Sequence, residues 1–311
     1  MHFLAPLDDL AVIRIEGADA ATFLHSQLSN DIATMGPADA RLAAYCNPKG
    51  RMLGSLIVWG ENEDADSPLM ALAKADILEP LLKRLRMFVL RAKVRFEITG
   101  LKVWGANLPA PAGEPWTVQR DHGVTRISAP AAPGGPARWW VIADEGLDAT
   151  TLAGTPDIPR NDAATWRAQD IEAGLGWVEL RNIELFIPQS LAYDLIGGVN
   201  FTKGCYPGQE VVARAHYRGT VKRRPMPGLC HVAGDARLEA GADIFNATRP
   251  GAPAGRIINA VAGPAATNGE HPWHLLMEVN LGDLEQAEYR AFSADGPAIQ
   301  LLRPPYPLEA G

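Results

Sequence analysis

The stretch AVIRIEGADAATFLHSQL, residues 11–28, joins two hydrophobic periods and thereby indicates the fold class. Apolar residues alternate over residues 11–15, which is the period of a strand with one buried face. After Gly17, Asp19 is a typical N-cap residue, and helical spacing then brings Phe23, Leu24 and Leu28 to one face. The sequence therefore predicts a strand followed by a helix.

A hairpin is predicted next, in RLAAYCNPKGRMLGSLIVW, residues 41–59. Two apolar runs flank Asn47–Gly50, whose proline and glycine suit a four-residue turn. We then expect a short strand near residues 69–73, a helix near 76–85 and a strand containing Val94, Phe96 and Ile98. This order of elements predicts an α+β fold, with the helices on one face of the sheet.

The rest of the chain is divided into shorter elements by glycine and proline. A helix is expected over residues 163–173 with Asp162 as its N-cap, and a second from about Pro207 to Tyr217. Helical periodicity then disappears, and short alternating runs predict an all-β closing domain. The predicted domains are residues 1–225 and residues 226–311.

Composition limits the classes of function. The 311 residues carry a formal net charge of −7, from 29 lysines and arginines against 36 aspartates and glutamates. Hydrophobic residues make up 47% of the chain, which excludes disorder of the whole protein. Since the net charge repels phosphate backbones, any contact with nucleic acid requires a local basic patch.

Cysteine usage and the lack of targeting signals predict a cytoplasmic protein. No apolar run approaches the ~18 residues of a membrane span, and the first residues do not resemble a secretory signal. Cys46, Cys205 and Cys230 are widely spaced, odd in number and without a CxxC pair, which fits a reducing compartment. They are too few for an iron–sulfur cluster or an all-cysteine zinc site, so no metal site is expected.

The segment FTKGCYPGQEVVARAHYRG, residues 201–219, carries the most chemistry. Pro207 suits the first turn of a helix, which places residues 203–206 at a helix N-terminus. Unpaired amide groups and the helix dipole favour anions there, Lys203 adds a positive charge, and the same field favours the thiolate of Cys205. The alternative is an ordinary helix start with a buried thiol.

The sequence KGCYPGQE, followed by VxAR and the basic RGTVKRR, resembles the K-G-C-[FY]-x-G-Q-E signature of the YgfZ family, folate-binding relatives of the glycine-cleavage aminomethyltransferase. Three more stretches resemble that family: FLHSQLSNDI its first helix, CNPKGRMLGSLIVW its first hairpin, and IEAGLGWVELRNIELFIPQS the approach to the signature. The resemblance covers most of the chain. The signature residues are Lys203, Gly204, Cys205, Tyr206, Gly208, Gln209 and Glu210.

The resemblance implies ferredoxin-like α+β subdomains that form a folate-binding region like that of the aminomethyltransferase, followed by a small C-terminal β-barrel. It also implies tetrahydrofolate, or a folate derivative, as cofactor, with Trp166 and Glu172 where relatives contact the pterin. An indole can stack on a pterin, and a carboxylate can accept hydrogen bonds from its pyrimidine edge. From the residues alone, Trp166 is interpreted as a core residue.

Two departures from the family pattern bear on function. Leu10 stands where many bacterial relatives have the tryptophan of LDDW, so one wall of the implied folate pocket is missing or replaced. Gly54 and Ser55 stand where aminomethyltransferases place an acidic pair, and neither can act as a carboxylate acid or base. Aminomethyltransferase activity is therefore not expected.

A basic run follows the signature and comprises Arg214, Arg218, Lys222, Arg223 and Arg224. It is either a solvated helix face or a patch that binds an anion or a partner. The histidines show no metal-binding spacing, and His216, His271 and His274 are interpreted as structural.

The resemblance implies a folate-dependent accessory protein that supports assembly or repair of iron–sulfur clusters in client enzymes, including radical enzymes that modify tRNA. In this hypothesis Cys205 is the reactive group, Lys203 and the helix terminus hold its thiolate or bind an anion, and folate occupies the cleft. The implied partners are folate and iron–sulfur client or assembly proteins. Two alternatives are a one-carbon transferase or demethylase acting on a small amine, and direct tRNA binding through the basic run.

Overall fold

The structure is a computed structural model and describes residues 2–64, 67–108, 113–217, 221–264 and 270–308. The helices are α1 (Ala20–Gln27), α2 (Leu78–Met87), α3 (Ala149–Ala153), α4 (Ala163–Glu172) and α5 (Gln209–Tyr217). The strands are β1 (Phe3–Pro6), β2 (Leu10–Glu16), β3 (Ala40–Cys46), β4 (Met52–Gly60), β5 (Leu69–Lys74), β6 (Arg95–Ile98), β7 (Lys102–Asn107), β8 (Val118–Asp121), β9 (Val124–Ala129), β10 (Arg138–Ala143), β11 (Arg223–Ala233), β12 (Asp243–Asn246), β13 (Gly255–Ala262), β14 (Glu270–Asn280), β15 (Tyr289–Ala291) and β16 (Ile299–Leu301). Among the described residues, no helix has the length and apolar character needed to cross a membrane.

The first sheet contains the predicted strand, helix and hairpin. Its strands are antiparallel and lie in the order β3-β4-β5-β2-β6. The apolar face of α1 packs on this sheet, where Phe23 meets Phe96 of β6 edge-on with ring centroids 5.9 Å apart. The hairpin turn is closed by Asn47, whose side-chain oxygen accepts the N–H groups of Lys49 and Arg51. Local sequence signals therefore predicted this part of the fold.

The second sheet has the order β1-β7-β10-β9-β8, and its edge strand β1 comes from the start of the chain. β1 pairs antiparallel with β7 over residues 3–6. α4 packs on this sheet, and the Asp162 side chain caps it by accepting the N–H of Thr165 at 2.9 Å. The two antiparallel sheets with their helices confirm the predicted α+β class.

Trp166 of α4 lies in the core and is only 1% exposed. Gly105 of β7 packs so closely on its ring that a Cβ at that position would overlap the indole. The Arg138 guanidinium lies 4.0 Å from the ring centroid, and Trp140 meets the ring edge-on at 6.0 Å. The prediction that Trp166 stacks on a pterin is corrected by this packing, because no ring face is accessible; the interpretation from the residues alone agrees with it.

The last sheet is a nearly closed six-stranded barrel with the order β15-β12-β13-β14-β11-β16. Its two longest strands, β11 and β14, pair over eleven residues each, and a bridge from Arg290 to Ala298 joins the two ends of the sheet. The barrel has an apolar core of its own, which includes Met226, Cys230, Ile244, Ile257, Leu275 and Met277. Because β11 begins at Arg223, the barrel sheet starts three residues before residue 226, where the second domain was predicted to begin.

Arg224 of β11 is buried and attaches the barrel to the preceding region. Its Nη1 and Nη2 atoms lie 2.6 and 3.0 Å from the Oδ1 and Oδ2 atoms of Asp194, and both side chains are at most 1% exposed. It also donates to the carbonyl oxygens of Gln189 and Leu308. The prediction that Arg224 belongs to an exposed basic patch is therefore wrong, because successive side chains of a strand alternate and that of Arg224 points inward.

Gly105→Ala is expected to lower the free energy of unfolding by about 1–3 kcal/mol, because the added methyl group overpacks the core around Trp166. Gly100→Ala is the matched control, since nothing lies within 4 Å of a Cβ there. Urea unfolding followed by tryptophan fluorescence measures both variants. Equal stability of the two would contradict the close packing of β7 on Trp166.

Candidate functional site

The signature loop, residues 200–208, is held in one conformation by two devices. The side-chain oxygen of Asn200 accepts the N–H groups of Thr202 and Lys203 at 2.8 and 2.9 Å, which folds the chain into a tight turn. At the other end Gly208 has a φ of +83°, and a Cβ there would lie 2.5 Å from the carbonyl oxygen of Asn47 in the hairpin turn. The loop is therefore seated on the first hairpin, and only glycine fits at this contact.

Because Gly208 is in the left-handed conformation, α5 begins later than predicted. The N–H of Gln209 donates to the carbonyl of Tyr206 across a turn, and helical structure begins at Gln209 and not near Pro207 as predicted. Cys205 lies four residues before the helix, so its predicted place in the N-terminal field of the helix is corrected. Glu210 is in the first turn of α5, as expected.

The Lys203 ammonium is buried against the end of α1. It donates to the carbonyl oxygen of His25 and, at 2.9 Å, to that of Leu28, and it lies 4.9 Å from the centroid of the Tyr206 ring. Burial lowers the pKa of Lys203 to about 8, although the charges of Asp31 and Cys205 oppose this shift. Lys203 thus attaches the signature loop to the last carbonyls of a helix, and it does not line an open anion site.

Cys205 is the exposed cysteine of the three. Cys46 lies in the core of the first sheet and Cys230 in the core of the barrel. Burial raises the pKa of the Cys46 thiol to about 12 and that of Cys230 to about 11. Solvent access distinguishes Cys205 from the other two thiols.

His25 and Asp31 lie beside the signature loop and were not among the predicted site residues. His25 Nδ1 is 2.9 Å from Asp31 Oδ1, and its Nε2 faces Gly204, where a Cβ would lie 3.6 Å away. Burial would raise the pKa of the Asp31 carboxyl, but hydrogen bonds to Thr34 and the nearby His25 lower it below its ordinary value. A thiol, an imidazole and a carboxylate therefore occupy one region, although within the described residues no three His, Cys, Asp or Glu side chains form a group that could hold a metal ion.

The other predicted folate residues lie at two different places. Leu10 is buried in β2, where it pairs with Lys74 of β5. Glu172 ends α4 with a side chain that is 42% exposed, and its Oε1 lies 3.6 Å from His274 Nδ1 of β14. Burial lowers the pKa of His274, and Glu172 opposes that shift. The structure does not bring Leu10, Trp166 and Glu172 together as the walls of one open pocket.

A narrow cavity lies between α4, β5 and β13, and polar and apolar residues line it in equal number. Polar and charged groups of its lining are Lys74, Arg167, Asp170, Glu179 and Asn259. It encloses about 30 Å³, which is room for one or two water molecules. Burial raises the pKa of Glu179, against the charge of Lys74 and a hydrogen bond with Asn259.

The carboxyl group of Asp9 connects two cations beside this cavity. Its oxygens lie 2.6 Å from Lys74 Nζ and 2.8 Å from Arg167 Nη2. Burial would raise its pKa, but these two cations lower it to about 2. Sequence reasoning missed Asp9, although it directly precedes Leu10 in a stretch that was already compared with the family.

The predicted basic run does not form one surface. Arg214 and Lys222 are exposed, Arg223 pairs with Glu278 at 3.2 Å, and Arg224 is buried, as described above. Arg218 lies outside the described residues. The run is therefore divided between α5 and the first strand of the barrel.

Gly54 and Ser55 lie in the interior of the first sheet. A Cβ at Gly54 would lie 3.2 Å from the Leu81 side chain, and the Ser55 hydroxyl accepts the N–H of Val178 at 2.9 Å. Neither position faces the signature loop or offers an acid or base to a substrate.

Comparisons with known proteins add relatives and a structural neighbour. A curated protein of Enterobacter sp. (strain 638), named tRNA-modifying protein YgfZ, is 31% identical over 255 residues, which cover 78% of this chain and 75% of the relative. A protein of the same name from Yersinia pestis (strain Pestoides F) is 32% identical over 255 residues, covering 78% and 74%. No family model matches the chain.

The crystal structure of glycine cleavage system aminomethyltransferase T from Bartonella henselae superimposes with a TM-score of 0.71. The alignment covers 99% of this chain and 87% of the other at 17% identity. At this identity the similarity establishes the fold, and it confirms the predicted α+β region followed by a terminal β-barrel.

Iodoacetamide is expected to alkylate Cys205 in the native protein on the order of 100-fold faster than Cys46 or Cys230 at pH 8, because the thiolate is the reactive form and both buried thiols titrate far above that pH. Mass spectrometry of tryptic peptides gives the three rates. In concentrated urea the three cysteines should react at similar rates. Rapid labelling of Cys46 in the folded protein would contradict the burial described above.

Proposed function

Since this chain belongs to the YgfZ family, we propose that it is a folate-binding accessory protein that supports assembly or repair of iron–sulfur clusters in client enzymes, including enzymes that modify tRNA. The observation that carries the proposal is the exposed Cys205 on a loop with a fixed conformation. A structural cysteine would be expected in the core, as Cys46 and Cys230 are.

The chemistry proposed for Cys205 is transient ligation. The thiol proton passes to the His25 imidazole, which Asp31 orients through the contact at Nδ1. The thiolate then donates an electron pair to one iron of the client's cluster, which is the substrate, while a labile ligand leaves that iron for solvent with its own electron pair, so that no oxidation state changes. Because such a cluster usually needs four thiolates and Cys205 is a single exposed thiol, this chain would assist the transfer and not store the cluster.

The residues beside the narrow cavity fit a pterin in their chemistry. The Glu172 carboxylate, which follows Ile171 of the cavity lining, can accept hydrogen bonds from the N–H groups of a pyrimidine edge, and Glu179 in the lining offers a second carboxylate. Asn259 is already hydrogen-bonded to the backbone of Trp177 and offers no free group. When bound, tetrahydrofolate supplies a carrier for one-carbon units.

The volume of the cavity limits the affinity. Since about 30 Å³ does not admit a bicyclic ring, α4 and β13 would have to separate on binding. Part of the binding free energy is then spent on that rearrangement, so we propose a modest affinity for folate.

Cys205→Ser is expected to fail in a deletion strain whose cluster-containing enzymes are assayed for activity, because an alcohol is a far weaker ligand for iron than a thiolate. Cys230→Ala, which removes a buried thiol, is the matched control and should complement. The thermal unfolding of both purified variants shows that each is folded. Full complementation by Cys205→Ser would overturn the proposed role of this cysteine.

Glu172→Gln is expected to weaken tetrahydrofolate binding about tenfold, since hydrogen bonds to a charged group contribute about 1.5–3 kcal/mol. Glu285→Gln makes the same change at an exposed position of the barrel and should leave the affinity unchanged. Isothermal titration calorimetry under reducing conditions measures both. Absence of heat at millimolar folate with the wild-type chain would remove folate from the proposal.

A further inference from the structure

Two cavities outside the folate and cysteine sites meet at Arg51. The first encloses about 500 Å³ between residues 185–190, α5 and the barrel. The second encloses about 440 Å³ against the first hairpin turn. Because Arg51 lines both, the two cavities are adjacent, and together they are named the Arg51 groove. Each is within the size range of ligand-binding sites, about 300–1,000 Å³.

The groove is positively charged although the protein is acidic. Six cations line it: Lys49, Arg51, Arg84, Lys222, Arg223 and Arg256. Three carboxylates line it: Glu184, Asp243 and Glu278. The formal net charge of the whole chain is −7, so this concentration of cations is a local reversal of sign.

The carboxylates are already occupied by other side chains. Glu278 contacts Arg223 at 3.2 Å and accepts the Ser190 hydroxyl at 2.5 Å. Asp243 contacts Arg256 at 2.8 Å. Two of the three carboxylates thus neutralise cations of the groove itself.

The other four cations of the groove are not neutralised in this way. Glu184 accepts the Asn47 side-chain amide at 2.9 Å. Within the part of the chain that the structure describes, no carboxylate forms an ion pair with Lys49, Arg51, Arg84 or Lys222. Arg51 donates instead to the carbonyl of Leu185 at 2.6 Å. These cations focus a positive field in the concave surface.

We propose that the Arg51 groove binds the phosphodiester backbone of a structured RNA. A single small anion would need one cavity, whereas two adjacent cavities with cations in both match a polymer with a charge on every unit. The aromatic residue of the lining, Phe186, is 1% exposed and cannot stack on a base, so the contact is to the backbone and independent of sequence. The curated relatives are named for tRNA modification, which makes tRNA the appropriate probe.

This inference goes beyond the proposed function, because it uses none of the residues assigned to cysteine or folate chemistry. A Cys205→Ser variant should bind RNA like the wild type even if it fails to support client enzymes. The two ideas can therefore fail separately.

The test is fluorescence anisotropy with the full-length chain and a labelled unmodified tRNA. With four unpaired cations on phosphates, the affinity should fall on the order of 100-fold between 50 and 200 mM salt. The double variant Lys49→Glu/Lys222→Glu should weaken binding at least tenfold and reduce the slope of log Kd against log salt by about 2. Both lysines are exposed, so the substitutions leave the core intact.

Arg237→Glu/Arg303→Glu is the matched control. It changes the net charge equally at two exposed arginines that do not line the groove, and it should keep the affinity within about twofold of the wild type. An unrelated tRNA should bind equally well, as expected for a backbone contact. Equal loss of affinity in both double variants, or no binding of wild type at 50 mM salt, would overturn the proposal.

Discussion

The buried Lys203 ammonium fixes the position of the signature loop on which the candidate site depends. The last carbonyl groups of a helix have no hydrogen-bond donor within the helix and carry partial negative charge, so an ammonium group at that end supplies both donors and a favourable charge. Lys203 does so by donating to the carbonyls of His25 and Leu28 at the end of α1. This contact places the signature loop beside the imidazole of His25. Without it, the loop that carries Cys205 would be held only by the turn at Asn200 and by the contact of Gly208 with the hairpin turn.

The elements that the sequence predicted well are those whose causes are local. The hairpin turn depends on Asn47 and the residues up to Arg51, and the start of α4 depends on Asp162 and Thr165. In each case the hydrogen-bonding residues lie within four positions of each other, so the local sequence is sufficient to predict the turn or the helix start. Recognition of the signature extended this to the overall fold, because a long motif specifies the family that shares it.

Contacts between distant segments could not be predicted. Arg223 and Arg224 are equivalent in the sequence, yet only Arg224 finds Asp194 and is buried. α5 is two residues shorter than predicted because Gly208 is pressed against the hairpin turn, about 160 residues earlier in the chain. The same hairpin turn supports both sites discussed above: Asn47 and Gly50 contact the signature loop, and Lys49 and Arg51 line the groove. The loop with the exposed thiol of Cys205 and a cationic surface are therefore both positioned by one turn of the chain.

The pairing of β1 with β7 has a consequence for how the protein is made. Phe3 lies opposite Asn107, so β1 completes a sheet whose other strands follow about a hundred residues later in the chain. Closing so large a loop is slow in entropic terms, and β1 stays an unpaired strand while the whole first sheet is synthesised. An unpaired strand invites pairing with another chain. We therefore expect β1 to be open to pairing with another chain until β7 has been synthesised, which happens only after the whole first sheet.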